Sequence, residues 1–113
     1  VPLTPRMLEI LAEAKDYAAA GGRLVFPSQR GDRMLSDNTF RKLNQGTTHD
    51  IDVHGFRSTF RTWAQDKTNF AREVVEAALS HQEQDAVVAA YARSDLFTKR
   101  RKLMEQWEAW CLG

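Results

Sequence analysis

Four side chains suited to phosphoryl transfer are spread over residues 54–91. His54 and Arg57 form a His-x-x-Arg step, and a second histidine, His81, and then Tyr91 follow it. A tyrosine phenol can attack phosphorus and later act as a leaving group, because it is more acidic than an aliphatic alcohol. An arginine presents a planar, permanently charged fork to phosphate oxygens, and histidines can transfer protons. These residue types suit the metal-free transfer of a phosphodiester through a covalent ester.

Each of these pieces alone also fits an ordinary structural role. A His-x-x-Arg step occurs by chance in many proteins, and a histidine at a helix end can cap that helix. A tyrosine on a short helix is often half-buried packing. The order and spacing of the four residues are more specific than any one of them, so the elements that carry them have to be considered together.

The elements that would position these residues are mainly helical. Apolar residues recur at intervals of three and four, which predicts helices with one buried face. Six helices are expected, over residues 5–20, 36–44, 55–65, 69–81 and 87–91, and from Ser94 or Asp95 towards the C-terminus. A short extended stretch over residues 23–27 is expected to end at Pro27. The predicted fold class is mainly α with a minor short β segment.

Capping residues and apolar faces define the two helices next to the candidate site. Residues 46–53 are rich in side chains that compete for backbone hydrogen bonds, which predicts a loop leading to His54. Thr68 or Asn69 is expected to cap the fourth helix. The buried face of the third helix, with His54 and Arg57 at its entrance, is expected to consist of Phe56, Phe60, Trp63 and Ala64.

Bulk composition sets limits on the class of protein. The 113 residues, 42% hydrophobic and 27% charged, predict one unit over 1–113. A formal net charge of +1 does not by itself indicate a nucleic-acid binder, and the basic run 99–102 is typical of a solvated helix face. Cys111 is the one cysteine, which excludes an intrachain disulfide and favours a structural thiol. Because no apolar segment is long enough to span a bilayer, we expect a cytoplasmic protein with no membrane partner.

The phrases His54-Gly-Phe-Arg57-Ser-Thr and Ala-Ala-Tyr91-Ala-Arg-Ser-Asp, with His81 between them, resemble a known family. They are similar to the C-terminal half of the catalytic domain of tyrosine recombinases of the phage-integrase type. The similarity extends over nearly the whole chain: residues 1–4 resemble the strand that leaves the catalytic hairpin, 25–28 the usual Phe-Pro step, and 100–107 the closing helix of prophage-encoded integrases.

The resemblance implies a role for each candidate residue. Tyr91 would attack DNA and form a 3′-phosphotyrosyl intermediate, and Arg57 would clamp the phosphate in the transition state. His54 would assist proton transfer near the nucleophile, and His81 would donate a hydrogen bond to a phosphate oxygen. No metal or other cofactor is implied. The implied partners are double-stranded DNA attachment sites and further recombinase subunits, assembled as a tetramer on DNA.

The resemblance also implies two residues that these 113 positions do not supply. The family's site includes an arginine on an earlier helix and a lysine on a β-hairpin, both N-terminal to the segment that residues 1–4 resemble. We therefore expect the 113-residue chain by itself to lack the upstream catalytic and DNA-binding parts. It should bind DNA weakly, in a salt-sensitive manner, and should not cleave it.

Two other function classes stay open on the residues alone. Asp50, Asp52 and His54 would lie on one side of an extended segment, which suits a divalent ion and hence a metal-dependent phosphodiesterase. A short acidic loop also commonly serves to cap helices and to form turns. A non-catalytic helical DNA-binding or interaction module would explain the helices and basic residues equally well. A covalent protein–DNA adduct that forms in the presence of a chelator would separate a recombinase from both.

The last predicted helix carries a larger apolar stripe than a solvent-facing helix requires. The stripe can fold back on a core around Phe60 and Trp63, as amphipathic terminal helices usually do. The resemblance implies a second possibility, in which the helix docks into a neighbouring subunit. Both possibilities are open for this stripe, which consists of Leu96, Leu103, Met104, Trp107, Trp110 and Cys111.

Overall fold

The described part of the chain, in a computed structural model, comprises residues 1–18, 22–29, 31–36, 38–47, 52–79 and 93–113. These residues are mostly helical, with one small two-stranded sheet, which confirms the predicted mainly α class with a minor β segment. The elements are α1 (Pro5–Tyr17), β1 (Pro27–Ser28), β2 (Gly31–Met34), α2 (Asn38–Gln45), α3 (Val53–Lys67), α4 (Arg72–Ala78) and α5 (Arg93–Leu112). Contacts divide the chain into an N-terminal unit, Pro5–Gly55, and a C-terminal unit, which combines Val1–Thr4 with Phe56–Gly113.

The two helices of the N-terminal unit begin close to where the sequence predicts. Helix α1 begins at Pro5, a favourable first position because proline has no N–H to leave unpaired, and it ends at Tyr17 rather than near Ala20. Helix α2 begins at Asn38. Ahead of it, the Ser36 carbonyl accepts the Thr39 N–H at 2.9 Å, and the two hydroxyl groups lie 3.1 Å apart.

The β-hairpin of the N-terminal unit differs from the expectation. Pro27 does not end an extended stretch but is the first residue of β1, where its missing N–H removes no necessary ladder bond. Strand β1 pairs antiparallel with β2 in the register Pro27↔Met34 and Ser28↔Gly31. The sequence analysis missed β2 because its residues, Gly-Asp-Arg-Met, show no alternation of apolar and polar side chains. Gly31 has φ +104°, a left-handed conformation that other residues rarely adopt.

Helix α3 is longer at both ends than the predicted 55–65. Phe60, Trp63 and Ala64 are buried as expected, but Phe56 is 60% exposed, so its predicted place in the buried face is wrong. The spacing of apolar residues identifies a helix face, but not how far along the axis neighbouring helices cover that face. Phe56 lies one turn nearer the N-terminus than Phe60, about 6 Å along the axis.

Thr68, in the connection between α3 and α4, does not have its predicted role as the cap of α4. The N-cap of α4 is Ala71, with no side-chain cap, so neither Thr68 nor Asn69 caps this helix. The Thr68 hydroxyl instead donates to the Ala64 carbonyl at the end of α3 and accepts the Phe70 N–H at 3.4 Å. A threonine hydroxyl that bonds the preceding turn is not free to cap the next helix. Helix α4 contributes Val74 and Val75 to the core.

Helix α5 folds back on the C-terminal unit itself. It begins at Arg93, so Ser94 and Asp95 belong to its first turn and do not precede it as caps. Leu103 and Met104 are buried. The Trp107 ring lies 5.2 Å from the Phe60 centroid and 5.0 Å from the Trp63 centroid, both edge-on. The first of the two possibilities for the apolar stripe is therefore the arrangement in this structure.

The C-terminal end of α5 is less covered than its middle. Trp110 is 51% exposed and Cys111 is exposed, so these two members of the predicted stripe do not belong to the buried face. Partial desolvation raises the pKa of the Cys111 thiol. The thiol form is the less nucleophilic one, but the exposure of Cys111 does not support the predicted structural role.

We expect Leu103→Ala to lower the free energy of unfolding by about 2–5 kcal/mol, because the side chain is removed from a fully packed position. Leu103 is 0% exposed. The matched control is Leu112→Ala on the same helix, where the side chain is 66% exposed and the change should stay within about 0.5 kcal/mol. Urea denaturation followed by far-ultraviolet circular dichroism measures both. Equal losses from the two variants would mean that α5 does not pack as described.

Candidate functional site

Helix α3 begins directly after Asp52, and the carboxylate of this residue caps it. The Asp52 Oδ1 atom accepts the backbone N–H of His54 at 3.2 Å, and the Asp52 carbonyl accepts the Gly55 N–H at 2.9 Å. An N-cap aspartate satisfies N–H groups that have no partner within the helix. His54 thus lies in the first turn of α3, and its side chain is exposed. Asp50 lies outside the described residues, and Asp52 has the capping role that competes with the metal interpretation.

Arg57, one turn further along α3, contacts the end of α4. Its Nη2 donates to the Leu79 carbonyl oxygen at 2.7 Å. The bond is short, as expected when the donor carries a full charge. Arg57 remains exposed, and within the described part of the chain this is its one side-chain hydrogen bond. A guanidinium has five N–H donors, and this bond uses one of them.

Leu79 is the residue at which α4 ends. It is the C-cap, with φ −81° and ψ 5°, and its N–H bonds the carbonyls of Val75 and Glu76 at 3.1 Å each. Helix ends leave carbonyl groups without intrahelical partners, and cationic side chains can satisfy them. The Arg57 guanidinium satisfies the Leu79 carbonyl in this way, by donating a hydrogen bond to it. The sequence analysis missed this contact because it joins a side chain to a backbone atom 22 positions away.

The remaining two predicted site residues, His81 and Tyr91, lie outside the described residues. Leu79, which accepts the hydrogen bond from Arg57, is the last described residue before them and precedes His81 by two positions in the sequence. His54 and Arg57 share the N-terminal part of α3.

Arg61, one turn after Arg57, pairs with a carboxylate and not with a backbone carbonyl. Its Nε donates to Glu76 Oε1 at 2.9 Å, and its Nη2 contacts the same oxygen. The Glu76 side chain is 18% exposed and that of Arg61 is 47% exposed, so the pair joins α3 to α4 at the edge of the core. Arg61 forms an ion pair between α3 and α4, whereas the described hydrogen bond of Arg57 is to a backbone carbonyl.

The C-terminal unit also contains a cavity lined by residues of α3, α4 and their connection. Its volume is about 440 Å³ and neither His54 nor Arg57 contributes to its wall. It is lined by Arg61, Gln65, Thr68, Phe70, Arg72, Val75 and Glu76. Among the described residues, no group of three or more His, Cys, Asp or Glu side chains could hold a metal ion. No described helix is both long and apolar enough to cross a membrane.

Three curated proteins are similar to the chain over 95–96% of its length. It is 36% identical over 111 residues to the prophage integrase IntA of Escherichia coli (strain K12) and 28% identical over 113 residues to the protein IntB of the same strain. It is 29% identical over 114 residues to the integrase of Enterobacteria phage P4. The chain spans only 26–28% of the length of these relatives. No protein-family model matches the chain, and no solved structure matches it significantly.

Proposed function

Because the chain is phage integrase-like over 95–96% of its length, we propose that the whole protein is a tyrosine-type site-specific DNA recombinase. It integrates or recombines DNA by cleaving and rejoining strands through a 3′-phosphotyrosyl intermediate. Residues 1–113 form the C-terminal part of its catalytic domain. Its partners are double-stranded DNA attachment sites and further copies of the recombinase, which assemble as a tetramer.

The similarity to integrases over 95–96% of the chain carries this proposal, and the position of Arg57 agrees with it. Arg57 contacts the C-terminal end of α4, and Leu79 there precedes His81 by two positions in the sequence. A site for a phosphodiester needs several donors at once, because charge develops at phosphorus in the reaction. Arg57 keeps an exposed guanidinium with donors available for that charge.

In the proposed reaction, each residue has one task. The Tyr91 phenol oxygen attacks phosphorus, a phosphorus–oxygen bond to tyrosine forms, and the 5′-oxygen leaves as a hydroxyl after it receives a proton. Arg57 and His81 donate hydrogen bonds to the non-bridging oxygens, and His54 takes part in proton transfer at the nucleophile. A 5′-hydroxyl then attacks the tyrosine ester and restores the DNA. The bond energy is conserved, so neither ATP nor a metal ion is consumed.

The proposal is tested by trapping the covalent intermediate. We expect the full-length protein, incubated with a labelled, nicked attachment-site duplex, to form an adduct that resists denaturant and disappears on protease digestion. The yield should be the same in EDTA, because no step uses a metal. Cleavage without an adduct, lost in EDTA, would identify a metal-dependent phosphodiesterase. Specific binding with neither cleavage nor adduct would identify a non-catalytic DNA-binding module.

A further inference from the structure

Arg100 differs from its basic neighbours in the run 99–102. Lys99, Arg101 and Lys102 are exposed, whereas Arg100 is half-buried on the side of α5 that continues into the buried Leu103. Residues three positions apart on a helix share a face, so the Arg100 stem lies at the margin of the core. The run 99–102 is typical of a solvated helix face in the sequence, and that prediction is wrong for Arg100.

The guanidinium of Arg100 reaches across to α4. Its Nη1 donates to the Ala77 carbonyl at 3.4 Å, and its Nε donates to the Leu96 carbonyl of its own helix at 3.4 Å. Both bonds are longer than the roughly 2.9 Å typical of N–H···O bonds. The full positive charge at the carbonyl end of a helix strengthens the interaction with α4, because that end carries partial negative charge. The Phe97 ring, 5.8 Å from the Arg100 Cζ, flanks the guanidinium.

Arg57 and Arg100 therefore hold the same helix end from two other helices. Arg57, on α3, bonds the Leu79 carbonyl, and Arg100, on α5, bonds the Ala77 carbonyl. Helix α4 has only seven residues, and its C-cap does not adopt the left-handed conformation that commonly closes a helix. Arg57 from α3 and Arg100 from α5 instead donate hydrogen bonds to carbonyl groups at this helix end. The position of the Leu79 carbonyl thus depends on both arginines.

We propose that Arg100 is a positioning residue for strand cleavage. By holding the end of α4, it fixes the Leu79 carbonyl that orients Arg57. Arg100 need not touch DNA, because it acts through Arg57. This inference rests on the proposed recombinase function, in which Arg57 contacts the reacting phosphate.

The test compares Arg100→Gln and Arg100→Lys in the full-length protein. With saturating nicked duplex, Arg100→Gln should lower the first-order rate of adduct formation about fivefold to tenfold, because the end of α4 is less well fixed. Its dissociation constant for DNA should change less than about twofold, since no DNA contact is removed. Arg100→Lys keeps the charge at the helix end and should recover part of the rate. In hydrogen exchange, the amides of residues 72–79 should exchange faster in Arg100→Gln.

Arg101→Gln is the matched control, because Arg101 lies beside the same Phe97 ring at 5.4 Å but is exposed. It should leave both the saturated rate and the exchange of α4 unchanged. The inference is overturned if Arg100→Gln forms the adduct at the wild-type rate, or if Arg101→Gln loses as much. Failure of the wild-type protein to form any adduct would instead refute the recombinase function, and the positioning role of Arg100 with it. Adduct formation by the wild-type protein therefore distinguishes a failure of this inference from a failure of the recombinase function.

Discussion

Tyr91→Phe in the full-length protein should abolish the denaturant-resistant adduct while leaving attachment-site binding within about twofold of wild type, because only the attacking oxygen is removed. Phenylalanine keeps the ring and its packing, so loss of the adduct can be assigned to the hydroxyl. The measurement is the yield of labelled DNA that stays attached to protein in denaturant, together with the dissociation constant from fluorescence anisotropy.

The chain offers a matched control for this substitution. It contains two tyrosines, Tyr17 and Tyr91, and Tyr17 is 88% exposed at the end of α1. Tyr17→Phe removes the same atom and should leave the adduct yield unchanged. An adduct formed by Tyr91→Phe but lost in Tyr17→Phe would transfer the nucleophile's role to Tyr17. Adduct formation by both variants would show that neither tyrosine is the nucleophile.

Arg57→Lys should slow adduct formation by about a hundred- to a thousand-fold although the positive charge is kept. The guanidinium donates one N–H to the Leu79 carbonyl at 2.7 Å and presents others in a fixed plane for phosphate oxygens. An ammonium is a point charge, and a lysine that reaches the carbonyl cannot offer the same planar fork to the phosphate. The loss should appear in the rate at saturating DNA.

Arg61→Lys is the control for Arg57→Lys, since Arg61 lies one turn further along the same helix and pairs with Glu76. A lysine can keep this ion pair, and such a partly exposed pair contributes about 1 kcal/mol or less. We expect the rate to change less than about threefold. If Arg57→Lys also loses less than about tenfold, the planar fork is unnecessary and charge alone is sufficient.

The sequence predicted most of the helices because their apolar spacing is regular. Phe60, Trp63 and Ala64 identified α3 and its buried face, and α2 begins two residues after the start of the predicted range 36–44. Helix ends were less predictable. Thr68 stands where a cap for α4 was expected, yet its hydroxyl bonds Ala64. A capping residue between two helices can serve either of them, and local sequence does not decide which.

The candidate site, like the fold, could be predicted only in part from the sequence. Residue types and spacing selected the four candidates His54, Arg57, His81 and Tyr91, and the resemblance implied their roles, which stay predictions. The Leu79 and Ala77 carbonyls had no sequence signal, since every residue has a carbonyl group. The sequence around Arg100 was misleading, because it predicts a solvated face and the other three residues of the run 99–102 are indeed exposed. Contacts between a side chain and a distant backbone atom depend on tertiary packing and were not accessible from spacing.

The aromatic cluster at the α3–α5 contact has a spectroscopic consequence. All three tryptophans of the sequence belong to it, with the Trp107 ring 5.0 Å from both Trp63 and Trp110. Indoles this close couple their electronic transitions, and emission excited selectively at tryptophan reports on the C-terminal unit. The N-terminal unit, Pro5–Gly55, contains no tryptophan and does not contribute directly to that emission. A melting curve from emission that departs from one based on backbone dichroism would therefore measure how independently the two units unfold.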